Sequence, residues 1–283
     1  MEAPMSGISA NEQAPVLLIG GLGKTGSRVA ERLKARNVSV RLGSRSARPA
    51  FDWLDRSTWA PALEGADAAY VTYYPDLAVP GAADAVGALA KLAVEHGLRK
   101  LVLLSGRGER EAQEAEAALA RSGGDWTVVR AAWFAQNFSE NFFVEGIASG
   151  EVIFPADEVR EPFVDAEDIA DIAAAALTEP GHEGRIYEVT GPRLMRFDEA
   201  IAEIAEAAGR KVRYVPVSVD EYLAGLRQAG LPEDLVGLLG ILTREVLDGR
   251  NSYITEGVQQ ALGRPPRDFR DYAARTAASG VWG

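Results

Sequence analysis

The 283-residue sequence contains no cysteine and only two histidines, His96 and His182. The absence of cysteine excludes disulfides, thiolate metal sites and cysteine nucleophiles from these residues. Each histidine lies beside a glycine, at a predicted loop or helix end, which disfavours a histidine-based metal cluster or catalytic triad. We therefore predict no metal site.

Basic residues are also scarce relative to acidic ones: 30 against 41, for a formal charge of −11. This balance argues against nucleic acid as a partner and favours neutral or cationic small molecules. The sequence has no run of about 18 apolar residues, so no membrane partner is expected. Residues 1–14 lack the basic start and apolar core of a secretory signal, and we predict a disordered tail there. The expected protein is cytoplasmic, and either a monomer or a homodimer.

Apolar runs typical of strands alternate with helical patterns as far as residue 133. The predicted strands cover 16–21, 38–45, a segment ending at 52–53, 66–74, 100–106 and 126–133, and the predicted helices cover 26–37, 82–96 and 109–124. A repeating strand–helix order indicates a parallel sheet with helices on both faces. The fold class is therefore predicted to be a Rossmann-type, doubly wound α/β fold.

Beyond residue 133 the alternation is looser. Short strands are predicted at 151–155, 161–164, 185–191 and 212–217, and helices at 166–177 and 198–208. We expect residues 15–155 to form the main domain, which contains the parallel sheet. Residues 156–283 would form a smaller substrate-binding lobe that completes the sheet edge and caps the substrate pocket. Asp165, Asp168 and Asp171 share one helix face, which we interpret as a helix cap and solvated surface rather than metal ligands.

Glycines at positions 20, 23 and 26 form a G-x-x-G-x-x-G turn between the first strand and the first helix. In such a turn the first glycine permits the tight bend, the second admits a pyrophosphate, and the third lets helix and strand pack closely. The helix N-terminus supplies free N–H groups for the anion. The predicted cofactor-binding residues of the turn are Gly20, Leu22, Gly23, Lys24, Thr25 and Gly26.

The end of the second strand selects between the two dinucleotides. An NAD site would carry an acidic residue there, but this sequence has Ser44 and Arg45, with Arg48 close behind. A guanidinium and a hydroxyl suit a 2′-phosphate, whereas the alternative interpretation is solvated surface arginines. We predict NADP(H) as the cofactor.

Six segments together resemble one family: "GGLGKTG", "LGSRS", "FDWLD", "KLVLLSG", "WTVVRAAWFAQNFSE" and "PFVDAEDIA". They resemble the NmrA-like atypical short-chain dehydrogenases, and within that group the festuclavine and agroclavine dehydrogenases. The resemblance covers the chain from about residue 15 to residue 273. It implies a Rossmann fold, an NADP(H) site and reduction of a carbon–nitrogen double bond.

Typical short-chain dehydrogenases use a Tyr-x-x-x-Lys pair, in which the lysine lowers the phenol pKa for proton transfer. None of the eight tyrosines here is followed four residues later by lysine, and of that machinery only Ser105 is present at its strand end. An iminium accepts hydride without a proton donor, so the missing pair disfavours an alcohol dehydrogenase but not an imine or iminium reductase. The alternative is a non-catalytic, dinucleotide-sensing regulator of the NmrA type.

Ligands of open α/β sheets lie beyond the carboxyl ends of the strands. Those ends supply the further predicted cofactor residues Thr72, Tyr73, Tyr74, Ser105 and Ala131, and the predicted substrate residues Arg107, Trp133 and Phe134. The resemblance adds Asp52 and Trp53 around the adenine, and Asn137, Phe138 and Phe163 near the substrate. Tyr73 and Ser105 are the candidate catalytic residues. Core packing is the alternative role for Tyr73 and for the two aromatic residues Trp133 and Phe134.

Overall fold

The structure is a computed structural model, and it describes residues 14–283. The tail predicted for residues 1–14 lies outside the described residues, apart from its last position. The strands are β1 (Val16–Ile19), β2 (Val40–Gly43), β3 (Ala68–Val71), β4 (Lys100–Gly106), β5 (Asp125–Ala131), β6 (Glu151–Phe154), β7 (Arg160–Glu161), β8 (Arg185–Val189), β9 (Met195–Arg196) and β10 (Arg213–Pro216). The helices are α1 (Lys24–Ala35), α2 (Trp59–Leu63), α3 (Ala82–Glu95), α4 (Arg110–Ala120), α5 (Asn137–Glu140), α6 (Val144–Ser149), α7 (Ala166–Thr178), α8 (Phe197–Ala207), α9 (Val219–Gln228), α10 (Glu233–Ile241), α11 (Gly257–Leu262) and α12 (Phe269–Ala278).

Six strands form one sheet in the order β2-β1-β3-β4-β5-β8, and every neighbouring pair is parallel. The strand order reverses between β1 and β3, where the chain winds outward in both directions. In open α/β sheets this switch point opens a crevice at the carboxyl ends of the strands. The predicted Rossmann-type, doubly wound α/β fold is confirmed.

Both faces of the sheet are buried, which explains why its strands are continuous apolar runs. In β1, Leu17 and Ile19 face the core formed with α2, α3 and α4. Val16 and Leu18 point the other way, into the core formed with α1 and α7. The alternation of period two thus assigns each strand residue to one helical layer.

A second unit is built mainly from the later part of the chain. Its strands pair as β6 with β10 and β7 with β9, and α12 packs on α8. Its buried aromatic core is formed by Phe138, Phe143, Phe154, Phe163, Phe197 and Phe269. Meanwhile α7 and β8 return to the central sheet and its helical layer. The domain division at residue 155 stays a prediction.

One predicted strand is wrong. Residues 52–53 do not end a strand of the sheet, because Asp52 makes only a single bridge with Asp55 and its N–H donates to Thr58 Oγ1 at 2.9 Å. The apolar character of this segment comes from aromatic packing: the Phe51 ring lies edge-on to Trp53, with centroids 5.2 Å apart. The third strand of the sheet along the chain is instead β3.

The acidic face of α7 corrects a second expectation. Asp165 caps the helix as predicted, accepting the Glu167 N–H at 2.9 Å. Asp168, however, is not on a solvated surface: it is 0% exposed and pairs with Arg264 and Arg267. The two arginines come from the chain between α11 and α12, so Asp168 anchors the C-terminal segment to α7.

No helix within residues 14–283 combines the length and apolar character needed to cross a membrane.

Candidate functional site

The glycine turn between β1 and α1 accepts no side chains at its first and third glycines. Gly20 has a φ of +76°, and a Cβ there would overlap Thr72 Oγ1. A Cβ on Gly26 would overlap the carbonyl oxygen of Gly20. The turn is therefore as tight as the sequence pattern predicts, and it lies where β3 ends beside β1.

The N-terminus of α1 is open for an anion. Its N-cap residue, Gly23, has extended backbone and no side-chain cap, and the first turn has no acidic residue. The buried Tyr70 hydroxyl donates to Thr25 Oγ1 at 2.9 Å, which fixes this end of the helix against β3. Uncapped N–H groups together with the positive end of the helix dipole suit a pyrophosphate. The residues of this turn therefore fit a dinucleotide.

Lys24 joins the glycine turn to the segment after β5. Its Nζ donates to Asn137 Oδ1 at 2.6 Å, so a predicted cofactor residue and a predicted substrate residue lie together. Burial lowers the pKa of Lys24 to about 8, against the raising effect of Glu140. Lys24 therefore carries its charge at neutral pH, at the uncapped N-terminus of α1.

The turn after β2 lies at the opposite edge of the crevice. Ser44 is half-buried and its carbonyl accepts the Phe51 N–H at 2.9 Å, which closes the loop on itself. Arg45 and Arg48 are both exposed. Among residues 14–283, the Arg48 guanidinium donates to the Ala47 carbonyl at 2.8 Å, whereas that of Arg45 makes no hydrogen bond or ion pair.

Trp53 and Tyr73 form an aromatic wall beside the end of β3. Their ring centroids are 4.8 Å apart, and Trp53 Nε1 donates to the Thr72 carbonyl at 3.0 Å. Thr72 Oγ1 in turn donates to Ile19 O at 3.0 Å. Tyr74 projects outward and is 76% exposed. The structure therefore brings Trp53, which was predicted near the adenine, into contact with Thr72 and Tyr73 at the end of β3.

Ser105 does not supply a free hydroxyl to this site. Its side chain is buried on the α4 face of β4, where Oγ donates to Glu116 Oε1 at 2.5 Å. Glu116 is itself buried and paired with Arg130. The geometry makes Ser105 a packing residue between sheet and helix rather than a proton donor. Ala131, at the end of β5, is buried, and its carbonyl accepts the Arg107 N–H at 3.1 Å.

Arg107 is likewise occupied by protein groups. It is 2% exposed, its Nε donates to Glu188 Oε1 at 2.8 Å, and its guanidinium lies 4.3 Å from the centroid of the Tyr253 ring. The side-chain amide of Asn251 donates to the Arg107 carbonyl at 3.3 Å. Arg107 was predicted to contact the substrate. Its side chain instead holds the 251–253 loop against the end of β4.

The aromatic residues after β5 divide into two groups. Phe138 and Phe163 are fully buried, with ring centroids 5.3 Å apart, and belong to the core of the second unit rather than a pocket wall. Trp133 and Phe134 are half-buried at the strand end. The indole Nε1 of Trp133 is buried without a hydrogen-bond partner among residues 14–283.

Two carboxyl groups at the carboxyl edge were missed by the sequence reasoning. Asp76 follows β3 and Glu109 follows β4, and the two carboxyl groups are close enough to affect each other's ionisation. Burial raises the pKa of both carboxyl groups, and the neighbouring Asp76 charge helps to raise that of Glu109 well above its usual range. The sequence gives no signal for this pair, because Asp76 and Glu109 are 33 positions apart and neither residue lies in a motif.

Known proteins are similar to this chain in sequence and in fold. A family model described as NAD(P)H-binding matches residues 20–180. The chain is 30% identical to an NAD(P)H azoreductase of Xenophilus azovorans, over 93% of this chain and 98% of that one. It is 29% identical to an agroclavine dehydrogenase of Claviceps fusiformis, over 92% and 96% of the two chains.

Among solved structures, the triphenylmethane reductase of Citrobacter sp. in complex with NADP(H) superposes with a TM-score of 0.73. That likeness covers 93% of this chain and 99% of the reductase at 20% identity, and it concerns the fold. The family match covers more than half of the chain, and it includes the glycine turn and the ends of β3, β4 and β5. The chain therefore belongs to the NAD(P)H-binding family and is an NAD(P)H-dependent oxidoreductase of the NmrA-like short-chain dehydrogenase group.

Proposed function

We propose that this chain is an NADPH-dependent reductase of an imine, an iminium ion or a similarly activated double bond. The observation that carries the proposal is a glycine turn and open helix N-terminus that fit a dinucleotide, in a chain without the Tyr-x-x-x-Lys pair. At the end of β4, Ser105 is bound to Glu116 and so does not replace that pair. A ketone reductase needs a proton donor there, since reduction of a carbonyl builds an alkoxide. The azoreductase among the relatives supports a nitrogen-containing double bond as the target.

The residues of the chain divide the work of binding. The glycine turn and the N-terminus of α1 would hold the pyrophosphate, Lys24 would neutralise it, and Ser44 with Arg45 would hold the adenine-ribose phosphate. Trp53 and Tyr73 would line the crevice between them. Bound NADPH supplies the hydride. We further propose that the protein is cytoplasmic, works as a monomer or homodimer, and takes a small-molecule substrate beneath the 156–283 lobe.

An iminium ion and a neutral imine differ in whether the protein must supply a proton. When hydride adds to an iminium carbon, the carbon–nitrogen electron pair moves to nitrogen and the product is a neutral amine, so no proton is required. A neutral imine does need one proton on nitrogen. We assign that role to the carboxyl pair of Asp76 and Glu109 at the carboxyl edge, because burial raises the pKa of both groups and so favours a proton on one of them. Positioning of the two reactants then provides most of the rate.

A substrate panel tests the proposal. We expect NADPH oxidation, followed by absorbance, with a cyclic iminium salt and an activated imine, and a rate about 10²- to 10⁴-fold lower with simple ketones. Tight NADPH binding without turnover of any imine, enone or ketone would contradict the reductase assignment. That outcome would favour the dinucleotide-sensing alternative instead.

The position of Lys24 gives a further prediction. Lys24→Met is expected to weaken NADPH binding about tenfold or more at neutral pH, since it removes a charge-assisted contact with the pyrophosphate. Wild-type affinity should also fall as the pH rises through about 8, where Lys24 loses its proton, and the variant should lack that fall. Calorimetric titration across this pH range measures both effects.

Lys34→Met is the matched control, because Lys34 is exposed and lies on the same helix, far from the glycine turn. It should bind NADPH like the wild type. Equal affinities for wild type and Lys24→Met at neutral pH would show that the lysine does not face the cofactor.

A further inference from the structure

Glu161 lies beyond the carboxyl end of the central sheet. The segment that follows it runs alongside the end of β5, where the Val164 N–H donates to the Trp133 carbonyl at 3.0 Å. On its other side, Ser252 Oγ donates to the Arg160 carbonyl at 2.7 Å. Glu161 is thus enclosed by the segments after β4 and β5 and by the 251–253 loop. This edge is where open α/β sheets bind ligands.

The carboxyl group of Glu161 is buried without compensation. The residue is 1% exposed, and Oε1 has no hydrogen-bond partner among residues 14–283. Burial raises the pKa of Glu161 to about 7, even though the charge of Arg107 acts to lower it. An unpaired buried carboxylate destabilises a folded protein, so its position calls for a contact that the protein itself does not provide.

Arg107 is the nearby cation, but it does not pair with Glu161. Its guanidinium is committed to Glu188, to the ring of Tyr253 and to the carbonyl oxygens of Asn251 and Tyr253. The arrangement holds Arg107 close enough to favour ionisation of Glu161 while leaving the carboxylate oxygen Oε1 free. A second buried polar atom without a hydrogen-bond partner among residues 14–283, the indole N–H of Trp133, lies two residues after the end of β5.

We infer that Glu161 is the anionic contact for a cationic nitrogen in the substrate, an inference that rests on the proposed reductase function. The fitting class is a planar, delocalised cation such as an aryl iminium, because the backbone of the half-buried aromatic residues Trp133 and Phe134 pairs with Val164, three positions after Glu161. The indole N–H of Trp133 would donate to an acceptor elsewhere on such a substrate. Binding of the ligand would supply the partner that Glu161 lacks.

The test compares two probes of the same shape, the N-methylquinolinium cation and neutral methylnaphthalene. Each is titrated into the protein saturated with NADP⁺ at about pH 8, where Glu161 is ionised. We expect the wild type to bind the cation more tightly than the neutral probe. Glu161→Gln should weaken the cation about tenfold or more and change the neutral probe less than about twofold.

Glu158→Gln is the matched control, since Glu158 is exposed on the preceding turn and its loss changes the net charge equally. It should leave both affinities unchanged. Glu161→Gln should also melt no lower than the wild type, because it removes an unpaired buried charge; a structural role would lower the melting temperature. Glu161→Met provides the same comparison if the glutamine variant does not fold.

The inference is overturned if Glu161→Gln weakens both probes equally, if it weakens neither, or if the wild type does not prefer the cation. None of these measurements requires turnover. A chain that binds the cation through Glu161 but reduces no substrate would therefore refute the proposed function alone. A chain that reduces iminium salts equally well with and without the Glu161 charge would refute this inference alone.

Discussion

Arg45→Asp is expected to reverse the cofactor preference of the protein from NADPH to NADH. A charge-assisted pair between a guanidinium and a 2′-phosphate contributes about 1.5–3 kcal/mol, so the wild type should bind NADPH roughly ten- to a hundredfold more tightly than NADH. An aspartate at this position would repel the phosphate and accept hydrogen bonds from the ribose hydroxyls instead.

The structure supports this choice of residue. Arg45 is exposed directly after β2, and the loop behind it is closed by the bonds from Ala47 N and Phe51 N to the Ser44 carbonyl. A rigid loop lets one substitution change the charge without moving the backbone. Ser44 Oγ lies 3.2 Å from Ser46 Oγ, so hydroxyl donors stand beside the guanidinium.

Titration of both cofactors into wild type and Arg45→Asp decides the matter. Arg48→Asp reports how much the second arginine shares the phosphate, and Arg121→Asp, exposed at the end of α4, controls for net charge. Arg121→Asp should keep the wild-type preference. Equal affinities of the wild type for NADH and NADPH would refute the assignment of this loop to the 2′-phosphate.

The sequence predicted the central sheet well because its signals are local. The predicted strand at 100–106 coincides with β4, and the predicted helix at 82–96 differs from α3 by one residue. Periodicity and the flanking glycines carry this information within each element. The glycine turn could be predicted in the same way, because the spacing of its glycines indicates a close approach of the backbone to a ligand.

The same local reasoning failed where burial has more than one cause. Around residues 52–53, apolar residues suggested a strand, but the rings of Phe51, Trp53 and Trp59 pack on one another and on the end of β3. Aromatic packing and strand pairing leave the same hydrophobic signal in a short segment. Only the tertiary structure, in which this segment is not one of the strands of the sheet, distinguishes aromatic packing from strand pairing.

The candidate site shows the same limit. Residues at strand ends could be placed at the carboxyl edge, but their partners come from distant elements. Ser105 is bound by a glutamate 11 positions away, and Lys24 meets Asn137 across 113 positions. Strand alternation turns Ser105 toward α4, which a prediction of the strand end alone does not resolve. The unpartnered state of Glu161 is likewise visible only in three dimensions.

Asp168→Ala is expected to lower the free energy of unfolding by about 2–3 kcal/mol, because it removes a fully buried carboxylate that accepts hydrogen bonds from charged groups. Asp168 is 0% exposed; Oδ1 lies 2.8 Å from Arg264 Nη2, and Oδ2 accepts the Arg267 N–H at 2.8 Å. Removing the carboxylate leaves the Arg267 backbone N–H without its acceptor, and each guanidinium group keeps only Asp171 of the two carboxylates. A solvated carboxylate on the helix surface would instead cost less than about 0.5 kcal/mol.

Asp171→Ala is the natural comparison, since Asp171 lies on the same helix and contacts the same two arginines but is only half-buried. Its loss should cost clearly less, because water can replace part of what the carboxylate provides. Urea denaturation at an unchanged m-value measures both differences. A change for Asp168→Ala no larger than that for Asp171→Ala would mean that burial adds nothing at this position. In that case the C-terminal segment would owe its attachment to α7 to apolar packing rather than to this carboxylate.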